Sequence, residues 1–238
     1  MTQRLTIIGL LILLLTACAQ LQPPNQSPLG VSVPSKENLP TESDHEEPAF
    51  DFGSSASGSG TTLTNSEHSL PTGLLEIGNA DAPLLLLVVT NHFCAYCREF
   101  QEAQFPRLMH DFIEPGMLKI QIAILPLKKY PQSSFAAGAL LCAVRDGKGL
   151  AMHELLSSGT VRDLTTLLAH AKELKLDPKK LRACTSDVEI TQLLDQQKSI
   201  LQSLGVTSVP TFFLNGQRFV GLPNYPELRG RIEQALSR

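Results

Sequence analysis

The sequence of 238 residues has no tryptophan, few aromatic residues and no excess of basic residues. Lys and Arg number 20 against 23 Asp and Glu, which gives a formal net charge of −3. A chain without a basic excess has no electrostatic footprint for nucleic acid, so we expect no nucleic-acid partner. The acidic excess is local, because residues 18–70 hold seven acidic residues and one basic residue.

The sequence also lacks an apolar run long enough to cross a bilayer as a helix, which takes about 20 residues. Residues 5–15 are almost wholly apolar and follow Arg4. A basic start and an apolar stretch of this length are typical of a secretory signal peptide, so we expect residues 1–17 to be removed. A short membrane anchor that stays attached is the alternative.

This apolar run ends in Leu15-Thr16-Ala17-Cys18. The four residues resemble the bacterial lipobox, in which the chain is cut before the cysteine and that cysteine receives lipid. The resemblance implies lipidation of Cys18 and a protein anchored to a bacterial membrane, facing the periplasm or the cell exterior. Several lipid chains hold a protein firmly on a membrane. The alternative is a secreted protein that loses Cys18 with its signal.

Residues 18–69 are predicted to form a flexible tether behind this anchor. Six prolines between residues 23 and 48 interrupt any helix or strand. Residues 53–60 consist almost entirely of Gly and Ser, which is typical of flexible coil. We therefore expect the folded domain to cover residues 70–238.

The first half of this domain has the pattern of a strand, a helix and a second strand. The unbroken apolar run at residues 84–89 predicts a strand that is buried on both faces. Residues 98–112 have apolar side chains near helical spacing, with a kink expected at Pro106. Alternation over residues 118–125 predicts the second strand, and such a unit requires a parallel, right-handed crossover.

A mainly helical region at about residues 131–204 is predicted next. The segments 211–214 and 217–220 then flank Asn215-Gly216, a strong signal for a β-hairpin. Residues 226–236 are predicted to form a closing helix with proline in its first turn.

Cys94 and Cys97 carry the main chemical signal, because they lie where the buried strand ends and the helix begins. The free amides and dipole of a helix start favour a thiolate, which is the attacking species in disulfide exchange. Cys97 is placed one turn further to release a bound partner. A zinc site usually needs a second close pair, and Cys142 and Cys184 are 42 residues apart. We therefore expect a redox pair and no metal, with a metal site and a structural bridge as the alternatives.

Three segments, residues 76–100, 139–156 and 205–216, together resemble the DsbA-like thioredoxin-fold family. The likeness covers about residues 70–238. It implies an α/β thioredoxin fold with a large helical insertion at about residues 131–204. It also implies an enzyme, a protein thiol–disulfide oxidoreductase that needs no cofactor.

The resemblance implies roles for residues around the dithiol. Val209 and Pro210 match the cis-proline loop, which faces the dithiol in the family and holds the substrate backbone. Ala95 and Tyr96, between the two cysteines, match the pair that tunes the redox potential.

Cys142 and Cys184 fall in the helical insertion, where relatives carry a second cysteine pair. The resemblance and the exported setting favour a structural disulfide between them. Two buried free thiols are the alternative.

These features predict an enzyme that oxidises the thiols of exported proteins and is re-oxidised by a membrane redox partner. The Ala95-Tyr96 pair is neither the Pro-His of the oxidant DsbA nor the Gly-Pro of the reductant thioredoxin. A disulfide reductase or isomerase with the same site is therefore an alternative. A lipoprotein that binds a partner and leaves the dithiol idle is a third.

Two histidines, His92 and His153, are interpreted as residues without a part in the redox chemistry. His92, two positions before Cys94, is interpreted as a solvated side chain at a strand end rather than a group that stabilises the thiolate. His153 is predicted to belong to an ordinary amphipathic helix.

Overall fold

The computed structural model describes residues 66–238, and the predicted signal peptide, the Cys18 lipidation site and most of the predicted tether lie outside the described residues. A six-stranded mixed sheet forms its centre, in the order β1-β2-β4-β3-β5-β6. The strands are β1 Glu67–Ser69, β2 Leu75–Ile77, β3 Leu84–Thr90, β4 Leu118–Ile124, β5 Thr211–Leu214 and β6 Gln217–Val220.

The parallel pair β3 and β4 is the middle of the sheet, as the strand-helix-strand pattern predicted. Both strands are buried along nearly their whole length. β2 pairs with β4 and β5 pairs with β3, and both of these pairs are antiparallel. The C-terminal end of β3 is therefore flanked by strands on both sides.

Helix α1 follows β3 and contains two π-helical turns. Its consecutive segments are Ala95–Glu99, Phe100–Gln104, Phe105–Leu108 and Met109–Ile113, of which the second and fourth are π-helical. Pro106 lacks an N–H, and its ring crowds the preceding turn. The first π-helical turn ends two residues before this proline, so a local widening of the helix accompanies the kink expected there.

The helical insertion follows β4 and matches the predicted region. Its helices are α2 Ser133–Arg145, α3 Gly149–Ser157, α4 Leu164–His170, α5 Pro178–Thr185 and α6 Val188–Ser203. A disulfide joins Cys142 of α2 to Cys184 of α5, with a Cα–Cα distance of 6.1 Å. This is the predicted pairing, and it links the start of the insertion to its later part.

The hairpin of β5 and β6 turns at Asn215-Gly216, as predicted. Both turn residues have positive φ, 45° and 84°, which a two-residue hairpin of this kind requires. The closing helix α7, Tyr225–Leu236, follows.

Strands β1 and β2 were not predicted, and β1 shifts the domain boundary. The Glu67 carboxylate of β1 accepts hydrogen bonds from the N–H groups of Gly149 and, at 3.1 Å, of Leu150. These amides belong to the first turn of α3, where a negative charge is favourable. The boundary predicted at residue 70 is therefore three residues late, because residues 67–69 of the predicted tether belong to the sheet.

The two faces of the sheet carry unequal cores. Alternate residues of a strand point to opposite faces, so Leu86 and Leu87 of β3 belong to different clusters. The Leu86 cluster is the larger and includes side chains of α1, α2 and α7. The Leu87 cluster is small and includes Leu201 of α6. No helix in residues 66–238 is long and apolar enough to cross a membrane.

Candidate active site

Cys94 and Cys97 lie at the start of α1, directly beyond the end of β3. Cys94 precedes the helix with an extended backbone (φ −84°, ψ 127°), and its carbonyl oxygen accepts a hydrogen bond of 3.1 Å from the Arg98 N–H. Both cysteines are free, so the structure represents the reduced dithiol.

The two thiols are not equivalent. Cys94 is 7% exposed and Cys97 is 3% exposed. Burial raises the pKa of the Cys97 thiol to about 12, although hydrogen bonds from the Thr90 side chain and the Asn91 backbone oppose the rise. Cys97 is therefore protonated near neutral pH, which leaves Cys94, at the helix start, as the thiol suited to attack.

A loop with a cis peptide bond faces Cys94. The Val209–Pro210 bond is cis, as predicted. Thr211 pairs with Val89 near the end of β3, which brings the loop before β5 to the dithiol. The Cys94 Sγ lies 3.7 Å from the Val209 carbonyl oxygen and donates to it. The structure thus brings together the predicted cysteines and the predicted substrate-binding loop.

Ala95 and Tyr96 lie on the solvent side of the dithiol. Both are exposed, and Tyr96 is 64% exposed although it is a large aromatic residue. The pair between the two cysteines is therefore open to solvent.

Asn91, which was not among the predicted site residues, holds the loop that leads to Cys94. Its side-chain amide donates to the Leu125 carbonyl oxygen at 2.8 Å, and its Oδ1 accepts from the Phe93 N–H at 3.0 Å. Its own carbonyl oxygen accepts from the Cys94 N–H at 3.0 Å. An asparagine between a strand end and a cysteine is a signal for such a turn, because its side chain bonds the backbone two residues on.

The interpretation of His92 as a solvated residue is wrong. His92 is 2% exposed, and its Nε2 lies 3.0 Å from Nδ1 of His153, which is also buried. His153 Nε2 in turn lies 2.9 Å from Oε1 of Gln101. His153 does belong to an amphipathic helix, as predicted, and lies on its buried face. The interpretation of His92 failed because its contact with His153 joins residues 61 positions apart, which no local pattern reveals.

In the part of the chain that the structure describes, no cluster of three or more His, Cys, Asp or Glu side chains could hold a metal ion.

The sequence of this domain matches a known protein family. The model of a family described as thioredoxin matches residues 69–234. A Na(+)/H(+) antiporter, NhaA 3 of Salinispora tropica, is 26% identical over 163 residues, which are 67% of this chain and 24% of the antiporter. The chain thus spans about a quarter of the length of the curated relatives it matches.

Solved structures share the fold. Oxidised BdbD from Bacillus subtilis has a TM-score of 0.65 and 21% identity, over 73% of this chain and 98% of BdbD. The α-DsbA1 protein of Wolbachia pipientis has a TM-score of 0.62 and 20% identity, over 71% of this chain and 94% of that protein. These likenesses confirm the predicted α/β thioredoxin fold with a helical insertion.

Proposed function

The chain belongs to the thioredoxin family, and on that basis we propose that it is a protein thiol–disulfide oxidoreductase acting through Cys94 and Cys97. The observation that carries the proposal is the 3.7 Å distance from the Cys94 Sγ to the Val209 carbonyl oxygen, with Cys97 buried in the next turn of α1. Exchange with a protein substrate needs an attacking thiol, a second thiol to resolve the mixed disulfide and a surface for the substrate backbone. All three are adjacent here.

In the oxidising direction, the enzyme starts with a Cys94–Cys97 disulfide. A substrate thiolate attacks the Cys94 Sγ, an intermolecular disulfide forms, and the Cys94–Cys97 bond breaks. The electron pair goes to Cys97, which takes up a proton because burial keeps its pKa far above neutrality. A second substrate thiolate then attacks its partner sulfur, forms the substrate disulfide and releases Cys94 as a thiolate. Two electrons have passed from the substrate to the dithiol.

Val209 and Pro210 are proposed to hold the substrate backbone during this exchange. Within residues 66–238, the Val209 N–H makes no hydrogen bond to another backbone group. The Val209 carbonyl oxygen faces the Cys94 Sγ. An extended substrate segment that paired with this edge, as peptides pair with exposed strands, would bring its sulfur to Cys94.

The proposed setting is an oxidising compartment, with the protein exported and lipid-anchored through Cys18 to a bacterial membrane. The Cys142–Cys184 disulfide supports export, because such bridges persist in oxidising environments. We propose exported proteins with cysteines as substrates and a membrane redox partner as the acceptor of the two electrons. The exposed Ala95-Tyr96 pair is proposed to tune the redox potential.

The test is the reduction potential of the Cys94–Cys97 pair, combined with oxidation of a reduced peptide that contains two cysteines. A potential near about −120 to −180 mV supports an oxidant, and one near about −270 mV favours the reductase alternative. The Cys142→Ser/Cys184→Ser variant is the control that retains only the catalytic pair. Failure of the oxidised protein to exchange with either glutathione or the peptide would contradict the proposed function.

A further inference from the structure

His92 connects the loop before the dithiol to the helical insertion. It follows Asn91 at the end of β3, and its Nε2 lies 3.0 Å from Nδ1 of His153 in α3. The two imidazole rings are tilted by 59°, with centroids 5.0 Å apart. This geometry is that of a hydrogen bond in the ring plane rather than of stacking.

The connection continues to α1. His153 Nε2 lies 2.9 Å from Oε1 of Gln101, in the π-helical turn of α1. Because the Gln101 oxygen accepts, His153 Nε2 carries a proton and His153 Nδ1 is bare. His92 Nε2 therefore donates to His153. The chain of three side chains joins the end of β3, the insertion and α1 in one fixed direction of hydrogen bonding.

Both imidazoles are neutral in this arrangement. Burial lowers the pKa of His153 to about 4, and burial together with the neighbouring His153 lowers the pKa of His92 well below 6.5. Within the described residues, His92 Nδ1 has no hydrogen-bond partner. The pair thus costs free energy of desolvation that two apolar side chains of similar size would not. Apolar side chains would fill the same space without this cost. Two imidazoles, in addition, fix the distance and the direction of a hydrogen bond between the loop and α3.

The loop before Cys94 is held from two sides. Asn91 bonds to the Leu125 carbonyl oxygen beyond β4, and the next residue, His92, bonds to α3. The Cys94 N–H donates to the Asn91 carbonyl oxygen, so the cysteine follows the position of this pair. We propose that His92 and His153 are positioning residues, which hold Cys94 at the start of α1 and opposite the Val209 carbonyl oxygen. This inference deepens the proposed function and rests on it.

Four variants separate positioning from packing. His153→Asn keeps a polar atom near the place of Nδ1 and retains the bond to His92. His153→Gln puts its polar atoms near the place of Nε2 and retains only the bond to Gln101. His153→Leu removes both bonds. His170→Gln replaces a histidine of α4 whose side chain, within residues 66–238, bonds only to Glu173.

The primary readout is the rate at which iodoacetamide alkylates Cys94 in the reduced protein at mildly acidic pH. Loosening the loop weakens the helix-terminal stabilisation of the thiolate, so we expect alkylation to slow about fivefold in His153→Gln and His153→Leu. His153→Asn and His170→Gln are expected to match the unmodified protein. Equal rates for His153→Asn and His153→Gln would overturn the inference. These two polar variants decide it even if His153→Leu does not fold.

A second readout is the reduction potential of the Cys94–Cys97 pair in the same variants, because a purely structural role leaves it unchanged. We expect the glutathione equilibrium constant to change about fivefold in His153→Gln and to stay unchanged in His153→Asn. Alkylation requires no turnover. An unmodified protein that does not exchange disulfides would therefore contradict the proposed function, while the variant rates still decide whether the pair positions Cys94.

Discussion

The side-chain amide of Asn91, three residues before Cys94, donates a hydrogen bond of 2.8 Å to the Leu125 carbonyl oxygen. This bond joins the ends of the two parallel strands of the sheet at the point where the chain turns into α1. The position of the dithiol therefore depends on a buried polar contact as well as on the apolar core.

Replacement of Asn91 by alanine is expected to lower the free energy of unfolding by about 1–3 kcal/mol, because the buried Leu125 carbonyl oxygen loses its donor. Urea unfolding of the reduced protein measures the loss. Asn79→Ala is the matched control, since Asn79 Oδ1 accepts from the Asp81 N–H in an exposed turn of the same kind. Equal stability of the two variants would contradict the role given to Asn91.

Replacement of Cys97 by serine is expected to trap mixed disulfides between Cys94 and substrate proteins, because the thiol that resolves them is gone. The Cys94→Ser variant is expected to trap almost none, since Cys97 is buried with a pKa raised to about 12. Non-reducing electrophoresis after incubation with oxidised peptide measures both. Equal trapping by the two variants would contradict the assignment of Cys94 as the attacking thiol.

The buried histidine pair predicts a loss of stability in mild acid. The pKa of His153 in the folded protein, about 4, lies below its ordinary value of 6.5. The unfolded chain therefore binds more protons between these values, and the stabilisation is complete above about pH 6.5 and is lost as the pH falls towards 4. His153 alone contributes on the order of 3 kcal/mol over this window.

Urea unfolding at about pH 7.5 and about pH 4.5 measures this dependence. The His153→Leu variant is the comparison, and its free energy of unfolding is expected to change less between the two conditions. Asp163 and Asp177, whose pKa values are lowered by backbone hydrogen bonds, lose their contribution only at lower pH. An equal pH dependence in both proteins would show that the pair is not the cause.

Removal of the Cys142–Cys184 disulfide by the double serine variant is expected to cost about 4 kcal/mol in the chain-entropy account of a loop of this length. The two cysteines are separated by 42 positions. The catalytic pair is expected to keep its reactivity, since the bridge joins α2 to α5 within the insertion. Thermal unfolding and Cys94 alkylation check the two statements separately, and an unchanged unfolding temperature would contradict the first.

The sequence predicted those parts of the fold whose signals are local or belong to a long pattern. The buried run of β3 and the Asn215-Gly216 turn are of this kind. β1 and β2 escaped prediction because three residues are too few to establish an alternating pattern.

The candidate site also has residues that were predicted and a contact that was not. Cys94, Cys97 and the Val209–Pro210 bond were predicted, and the structure places Val209 opposite Cys94. The His92–His153 contact was not predicted, because a histidine in a sequence carries no signal for burial until its partner is known. His92 lies in the loop after β3 and His153 in the insertion, and only the packed chain brings them together.

The contact of Glu67 with the start of α3 has a structural consequence. Among the described strands, β1 is a three-residue edge strand that pairs only with β2. Loss of this short pairing would release the Glu67 carboxylate from the start of α3. Since α3 also holds His153, the edge strand and the loop before Cys94 are joined through a single helix.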